Sequence, residues 1–266
     1  MKIDYNIADV APYVNWSYFF HAWGVSGKPQ TVKDKLRQDA EQRLQRHAAD
    51  FRTHAIFRLF SAVSDGDDIV LTDSGQRLPM LRQQQEGSDF LSLADFISPQ
   101  DSPTTSLLGL FATTVDMGME TSFAADPYEQ MMMQLLADRL AEATAELLHQ
   151  EVRQRYWGYA PDEQLTIPEM LVERFQGIRP AVGYPSLPDT SLNFVLDQLL
   201  DLKQIGIRLT ESGAMKPHAS VSGLMIAHPQ ARYFALGRIG HDQLADYARR
   251  RGLPVEVVRK FIGGNL

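Results

Sequence analysis

The stretch Gly177-Ile178-Arg179-Pro180-Ala181-Val182-Gly183-Tyr184-Pro185 holds the residue types best suited to grip a ligand. Two prolines fix φ on either side of a glycine, so the loop is stiff and its backbone can be approached closely. Arg179 and Tyr184 are held near its ends. A guanidinium so placed suits a small anionic group, gripping a carboxylate through two parallel charge-assisted bonds worth about 1.5–3 kcal/mol, with Tyr184 as an aromatic wall. The same residues also describe a rigid connector whose arginine covers helix-end carbonyls. A second constellation, Asp138, Glu142 and Glu146, recurs every fourth residue and so shares one helix face beside Leu135, Leu136 and Leu140. Such a row either receives a cation or an imidazole, or stands as a solvated stripe paired with Arg139 and Arg153. A third, residues 13–23, sets Asn15 inside a dense aromatic run, the composition of a core in which one polar member lines a cleft.

Several familiar chemistries are missing. The chain has no phosphate loop ending in Lys-Ser/Thr, no G-x-G-x-x-G, no H-E-x-x-H and no G-x-S-x-G elbow. Its seven histidines show no ligand spacing beside clustered carboxylates, so no metal site is expected. With no cysteine, disulfides, iron–sulfur cages, Cys-ligated zinc and thiol nucleophiles are excluded.

The elements that must position these residues are legible in outline. Helical periodicity covers 31–51, with Thr31 as cap and Val32, Leu36, Ala40 and Leu44 on one face. A strand over 55–63, the turn Asp65-Gly66-Asp67-Asp68 and a strand at 69–71 read as a hairpin. A further strand is expected over 107–114. The longest helix starts at Asp126 as cap with Pro127 in its first position, and should end near Trp157-Gly158. A shorter helix over 168–175 opens with Thr166 and Glu169 in capping-box spacing. Another runs from Ser191 to Gly206. Strands are expected over 207–210, 220–227 and 232–237, followed by two helices closing near Gly252 and Gly263. Strands and helices come in irregular order rather than as repeated βαβ units, which predicts an α+β fold.

The 266 residues carry 26 basic against 33 acidic side chains, a net charge of −7, which disfavours a broad nucleic-acid surface. No repeat or linker divides the chain, so one domain over 1–266 is expected. The N-terminus lacks the apolar run of a signal peptide, and no apolar stretch is long enough for a bilayer. A cytoplasmic protein is the expectation.

Together these stretches resemble one family, the S-adenosylmethionine-binding activation domain of cobalamin-dependent methionine synthase. The resemblance is carried by Asn15-Trp16-Ser17-Tyr18-Phe19-Phe20, Leu136-Ala137-Asp138-Arg139-Leu140-Ala141-Glu142-Ala143 and Tyr156-Trp157-Gly158-Tyr159-Ala160-Pro161. It continues through Gln176-Gly177-Ile178-Arg179-Pro180-Ala181, Gly183-Tyr184-Pro185, Leu209-Thr210-Glu211-Ser212, Ala219-Ser220-Val221-Ser222-Gly223 and His228-Pro229. It implies a single C-shaped α+β domain with a central, mostly antiparallel sheet flanked by helices. It also implies a reactivation role: docking on a cobalamin module, receipt of an electron from flavodoxin or a similar donor, and reductive methylation of inactive cob(II)alamin by S-adenosylmethionine. The expected partner is a cobalamin-binding methionine synthase subunit lacking this domain, the present chain acting as a stand-alone subunit and as part of a methyltransferase system rather than a complete enzyme. Cobalamin is then contacted through the partner.

This chemistry needs no acid, base or covalent residue, because a sulfonium is already a good methyl donor and alignment is the remaining task. The resemblance implies binding residues instead. Arg179 holds the methionine carboxylate; Ala181, Gly183 and Tyr184 supply backbone and wall contacts; Tyr233 and Phe234 close over the ligand; Glu142 and Glu173 are acidic positions near the cleft. Asp138 receives the histidine released by cobalt on the partner. The chain departs from the family at Asn15, where Asp is usual, at Lys216 and His218, where Trp and Gly are frequent, and at Phe234, which replaces Tyr. These departures define the alternative reading, a non-catalytic docking subunit with weakened or lost S-adenosylmethionine binding.

Overall fold

A computed structural model describes residues 1–266. In chain order its elements are β1 (Lys2–Asn6), α1 (Ile7–Val10), α2 (Trp16–Ala22), α3 (Gln30–Arg46), β2 (Arg52–Asp65), β3 (Asp68–Leu71), β4 (Arg77–Pro79), β5 (Ser106–Val115), α4 (Gly118–Thr121) and α5 (Pro127–Glu151). They continue as α6 (Ile167–Met170), α7 (Leu192–Leu200), β6 (Arg208–Leu209), β7 (Met215–Lys216), β8 (Ser220–Met225), α8 (His241–Arg251) and α9 (Val255–Phe261). The main sheet has six strands in the order β4-β3-β2-β5-β8, with β1 also on β2, and every pair is antiparallel. β2 is long enough to carry β1 on its first half and β3 on its second, along the edge opposite β5.

Alternation along the strands sends side chains into two separate cores. Phe57 of β2 and Phe111 of β5 join Met132, Leu136, Leu140 and Leu148 of α5, with Leu36, Ala40 and Leu44 of α3. Their neighbours Ile56, Leu110 and Ala112 face the other way, onto Leu192, Leu196 and Leu200 of α7. A smaller third core joins α8 and α9 to Leu81 and Leu236. The sheet therefore lies between helical layers, an α+β architecture as expected. No helix is long and apolar enough to cross a membrane.

The hairpin falls where its turn residues put it: Asp65 pairs with Asp68, leaving Gly66-Asp67 as a two-residue loop. α5 begins at Pro127, and the Asp126 carboxylate accepts from the backbone N–H groups of Tyr128 and Glu129 at 2.9 and 3.2 Å. It runs into a π-helical turn, Val152–Tyr156, before Trp157-Gly158.

Other expectations need correction. α3 ends at Arg46, short of Phe51, and Pro29 rather than Thr31 occupies its cap position. α6 is confined to one turn because Glu173 adopts a left-handed backbone, φ +60°. The helix expected over 191–206 breaks at Asp201, φ +56°, into α7 and a short 3-10 turn. Residues 232–237 form no strand; Leu236 donates instead to the Pro185 carbonyl at 3.0 Å, and Ala235 accepts from the Gln83 amide at 2.9 Å. The place beside β8 that such a strand would need is taken by the Arg179 loop. β1 is an addition to the expected elements, since only Ile3 and Tyr5 turn inward from an otherwise polar pentapeptide.

Candidate ligand cleft

Four segments converge on one cleft, the aromatic run supplying Tyr13, Asn15 and Tyr18 beside the three described next. The first is the face of α5 carrying Arg139, Glu142, Ala143 and Glu146, spaced i, i+3, i+4, i+7 and hence aligned. The second is the loop after α6. Residues 178–182 run antiparallel along β8: Ile178 and Ile226 exchange bonds at 2.9 and 3.0 Å, Leu224 donates to Pro180 at 3.0 Å, and Val182 donates to Ser222 at 2.8 Å. Pro180, lacking an N–H, contributes only its carbonyl to this ladder. The approach is so close that a Cβ on Gly223 would collide with the Pro180 carbonyl and lie 2.9 Å from Ala181 Cα. Gly177, φ +86°, faces the Ile226 carbonyl with the same lack of room. Two glycines thus let the loop lie flat on the sheet and project Arg179 toward α5. The third segment, 233–235, crosses above: the Tyr233 hydroxyl accepts from the Arg179 backbone N–H at 2.8 Å.

The enclosed volume is about 520 Å³, within the range of small-molecule sites. Eight of the anticipated residues line it: Asn15, Glu142, Glu173 and Arg179, and with them Ala181, Tyr184, Tyr233 and Phe234. Gly183 stands behind the lining, its N–H donating to the Leu187 carbonyl at 2.8 Å. Asp138 also lies outside the cleft, on the same helix one turn before Glu142. The cleft adds residues that sequence reasoning left out of the site: Arg139 and Glu146 on α5, and Tyr13 and Tyr18 from the aromatic run. Arg139 shares the helical spacing of the acidic row, which is the signal available for it.

Arg179 is the centre of the electrostatics. It is 8% exposed as a residue, its guanidinium lies 5.8 Å from the Phe111 ring centroid, and it donates through Nη2 to Glu146 Oε1. Nε and Glu146 Oε2 are sealed from solvent without partners, so Nη1 is the guanidinium nitrogen neither bonded nor sealed. Burial is the largest influence and works against the charge on Arg179, but Glu146, Tyr233, Glu142 and Tyr184 together offset it and hold its pKa above the ordinary value. Across the cleft, the Tyr184 hydroxyl donates to Glu142 Oε1 at 2.6 Å; burial and that carboxylate push the phenol up. Glu173, on the rim, is raised by burial and then by Glu146. Asp138 is raised mainly by burial, with Glu120 adding to it and Arg139 and His218 opposing. Asn15 caps α2, its side-chain oxygen accepting from the Ser17 N–H at 3.1 Å. No cluster of His, Asp and Glu could hold a metal ion.

The cleft can therefore hold a molecule with an anionic end at Arg179, cationic groups against Glu142 and Glu173, and a flat part under Tyr184, Tyr233 and Phe234. The crystal structure of a MetH reactivation domain bound to AdoHcy is similar to this chain, with a TM-score of 0.93 and 37% identity, covering 100% of this chain and 90% of that one. The family described as vitamin B12 dependent methionine synthase, activation domain, matches residues 6–252. The chain belongs to that activation-domain family of vitamin B12 dependent methionine synthases.

Proposed function

We propose that the cleft binds S-adenosylmethionine and presents its methyl group to the cobalamin of a methionine synthase module during reactivation. The observation that carries this reading is Arg179, buried, half committed to Glu146 and with Nη1 open to the cleft. The AdoHcy bound to the similar reactivation domain supports it, since AdoHcy is what S-adenosylmethionine becomes on losing its methyl group.

The chain's own residues have binding and orienting tasks. Arg179 receives the carboxylate. Glu142 and Glu173 face the cationic groups, while Tyr184, Tyr233 and Phe234 wall the adenosyl part, and the backbone at Ala181 borders it. The Gly183 turn shapes the Tyr184 wall from behind, through its bond to Leu187. Asn15 offers an amide in place of a carboxylate. Asp138, one turn before Glu142 and outside the cleft, receives the histidine that leaves cobalt on the partner module. When bound, S-adenosylmethionine supplies a sulfonium-activated methyl group. The acceptor is the partner's cobalamin, after one-electron reduction by flavodoxin or a similar carrier, so no group here has to move a proton. Proximity and exclusion of water are what this chain contributes.

The test mixes the chain with a reductant, S-adenosylmethionine and a cobalamin-loaded methionine synthase lacking its activation domain, and follows methylcobalamin by absorbance. Formation that depends on the chain is expected. Binding to the partner without methylcobalamin would favour the docking-subunit reading.

A further inference from the structure

Five charged side chains line the cleft: Arg139 and Arg179 against Glu142, Glu146 and Glu173. They leave it with one negative charge in excess. Behind them, Arg153 is compensated by Glu163, and His149 is kept neutral by burial and by its arginine neighbours. The distribution within the cleft is uneven. Arg179 would be a strong general anion site on its own, but Glu146 reaches it from α5, and both remaining atoms of the contact, Arg179 Nε and Glu146 Oε2, are sealed. A ligand cannot take Glu146's place without opening that seal. Glu142 is engaged by the Tyr184 hydroxyl, whereas Glu173 has no hydrogen-bond partner at the rim.

We infer that Glu146 is a specificity-determining residue: by neutralising Arg179 from inside, it leaves the cleft an excess negative charge that selects a net cationic ligand over a neutral one of the same shape. Taken on the reading above, the cationic ligand is the sulfonium donor, whose ammonium, sulfonium and carboxylate sum to one positive charge. The neutral one is the thioether left after methyl transfer. The cleft then favours donor over product by charge, without a contact dedicated to the methyl group. Removing one unit charge from a partly screened cleft changes the ratio of the two affinities about fivefold.

Calorimetric titration with S-adenosylmethionine and with AdoHcy tests this as a ratio of dissociation constants. In Glu146→Gln the preference for the sulfonium should fall about fivefold, and in Glu146→Asp, which keeps the charge, it should persist. Arg139→Gln makes the cleft more negative and should raise the preference by a similar factor; it decides the matter where Glu146→Gln does not yield folded protein. If both ligands bind the native chain and the ratio is unmoved in these variants, this inference is overturned and the proposed function stands. If the native chain binds neither, the proposed function itself falls and takes the inference with it.

Discussion

Two buried arginines, Arg153 and Arg179, each meet a glutamate, and they are used differently. Arg153 is 0% exposed and forks onto Glu163, with Nε 2.9 Å from one carboxylate oxygen and Nη2 2.6 Å from the other, while its guanidinium carbon lies 4.2 Å from the Phe175 ring centroid. That pair is a two-nitrogen fork whose remaining nitrogen, Nη1, is sealed from solvent without a partner, and it does not line the cleft. Arg179 gives Glu146 a single nitrogen and keeps Nη1 open. The same chemistry thus holds structure where the fork grips one carboxylate and the last nitrogen is sealed, and makes a site where a nitrogen stays open. Surroundings decide which: Glu163 reaches Arg153 from the loop ten residues on, whereas Glu146 reaches Arg179 from α5 across the floor of the cleft.

The contrast can be broken most visibly at the forked Arg153–Glu163 pair. Glu163→Gln leaves Arg153 as a buried charge without its counter-ion and should destabilise the fold by about 3–5 kcal/mol in urea denaturation. The fraction that remains folded should still bind S-adenosylmethionine. Arg179→Lys should do the reverse. A lysine lacks the planar fork, and losing a charge-assisted contact of about 1.5–3 kcal/mol weakens S-adenosylmethionine roughly tenfold to a hundredfold by calorimetry, with a smaller shift of the melting temperature. Asn15→Asp should sharpen the contrast: a carboxylate at the α2 cap keeps the bond to the Ser17 N–H, adds charge to the cleft, and tightens the sulfonium ligand by about 1 kcal/mol, some fivefold.

The smallest effect concerns Glu173. Its folded pKa lies above the ordinary carboxylate value, so the folded state holds the proton more firmly, and stability falls as pH rises from the ordinary value through the raised one. Glu173→Gln should therefore raise the melting temperature of the ligand-free chain at neutral pH. The gain is below about 1 kcal/mol because the side chain is at the solvent-screened rim, and it vanishes at pH below the ordinary carboxylate range. The same variant should bind S-adenosylmethionine more weakly, which separates a ligand-facing carboxylate from a structural one.

Much of this is legible in the residues. α5 announces itself through Asp126 and Pro127, and its periodicity aligns the acidic row. The hairpin is written in Asp65-Gly66-Asp67-Asp68. The Arg179 loop stands out by its prolines and glycines, and its neighbours in the cleft come through the resemblance. What stays hidden depends on partners distant in sequence. Nothing local tells that Glu146, rather than Glu142, meets an arginine 33 residues away. Residues 232–237 carry strand composition, yet the loop 178–182 already lies along β8. α6 stops early because Glu173 turns left-handed, a conformation no propensity assigns to glutamate.

The central claim, that this cleft binds a methyl donor through Arg179, is tested most directly by titrating S-adenosylmethionine into the folded native chain in a calorimeter. A saturable one-site isotherm is predicted. No binding heat up to millimolar ligand, from a chain whose melting curve shows it folded, would contradict it.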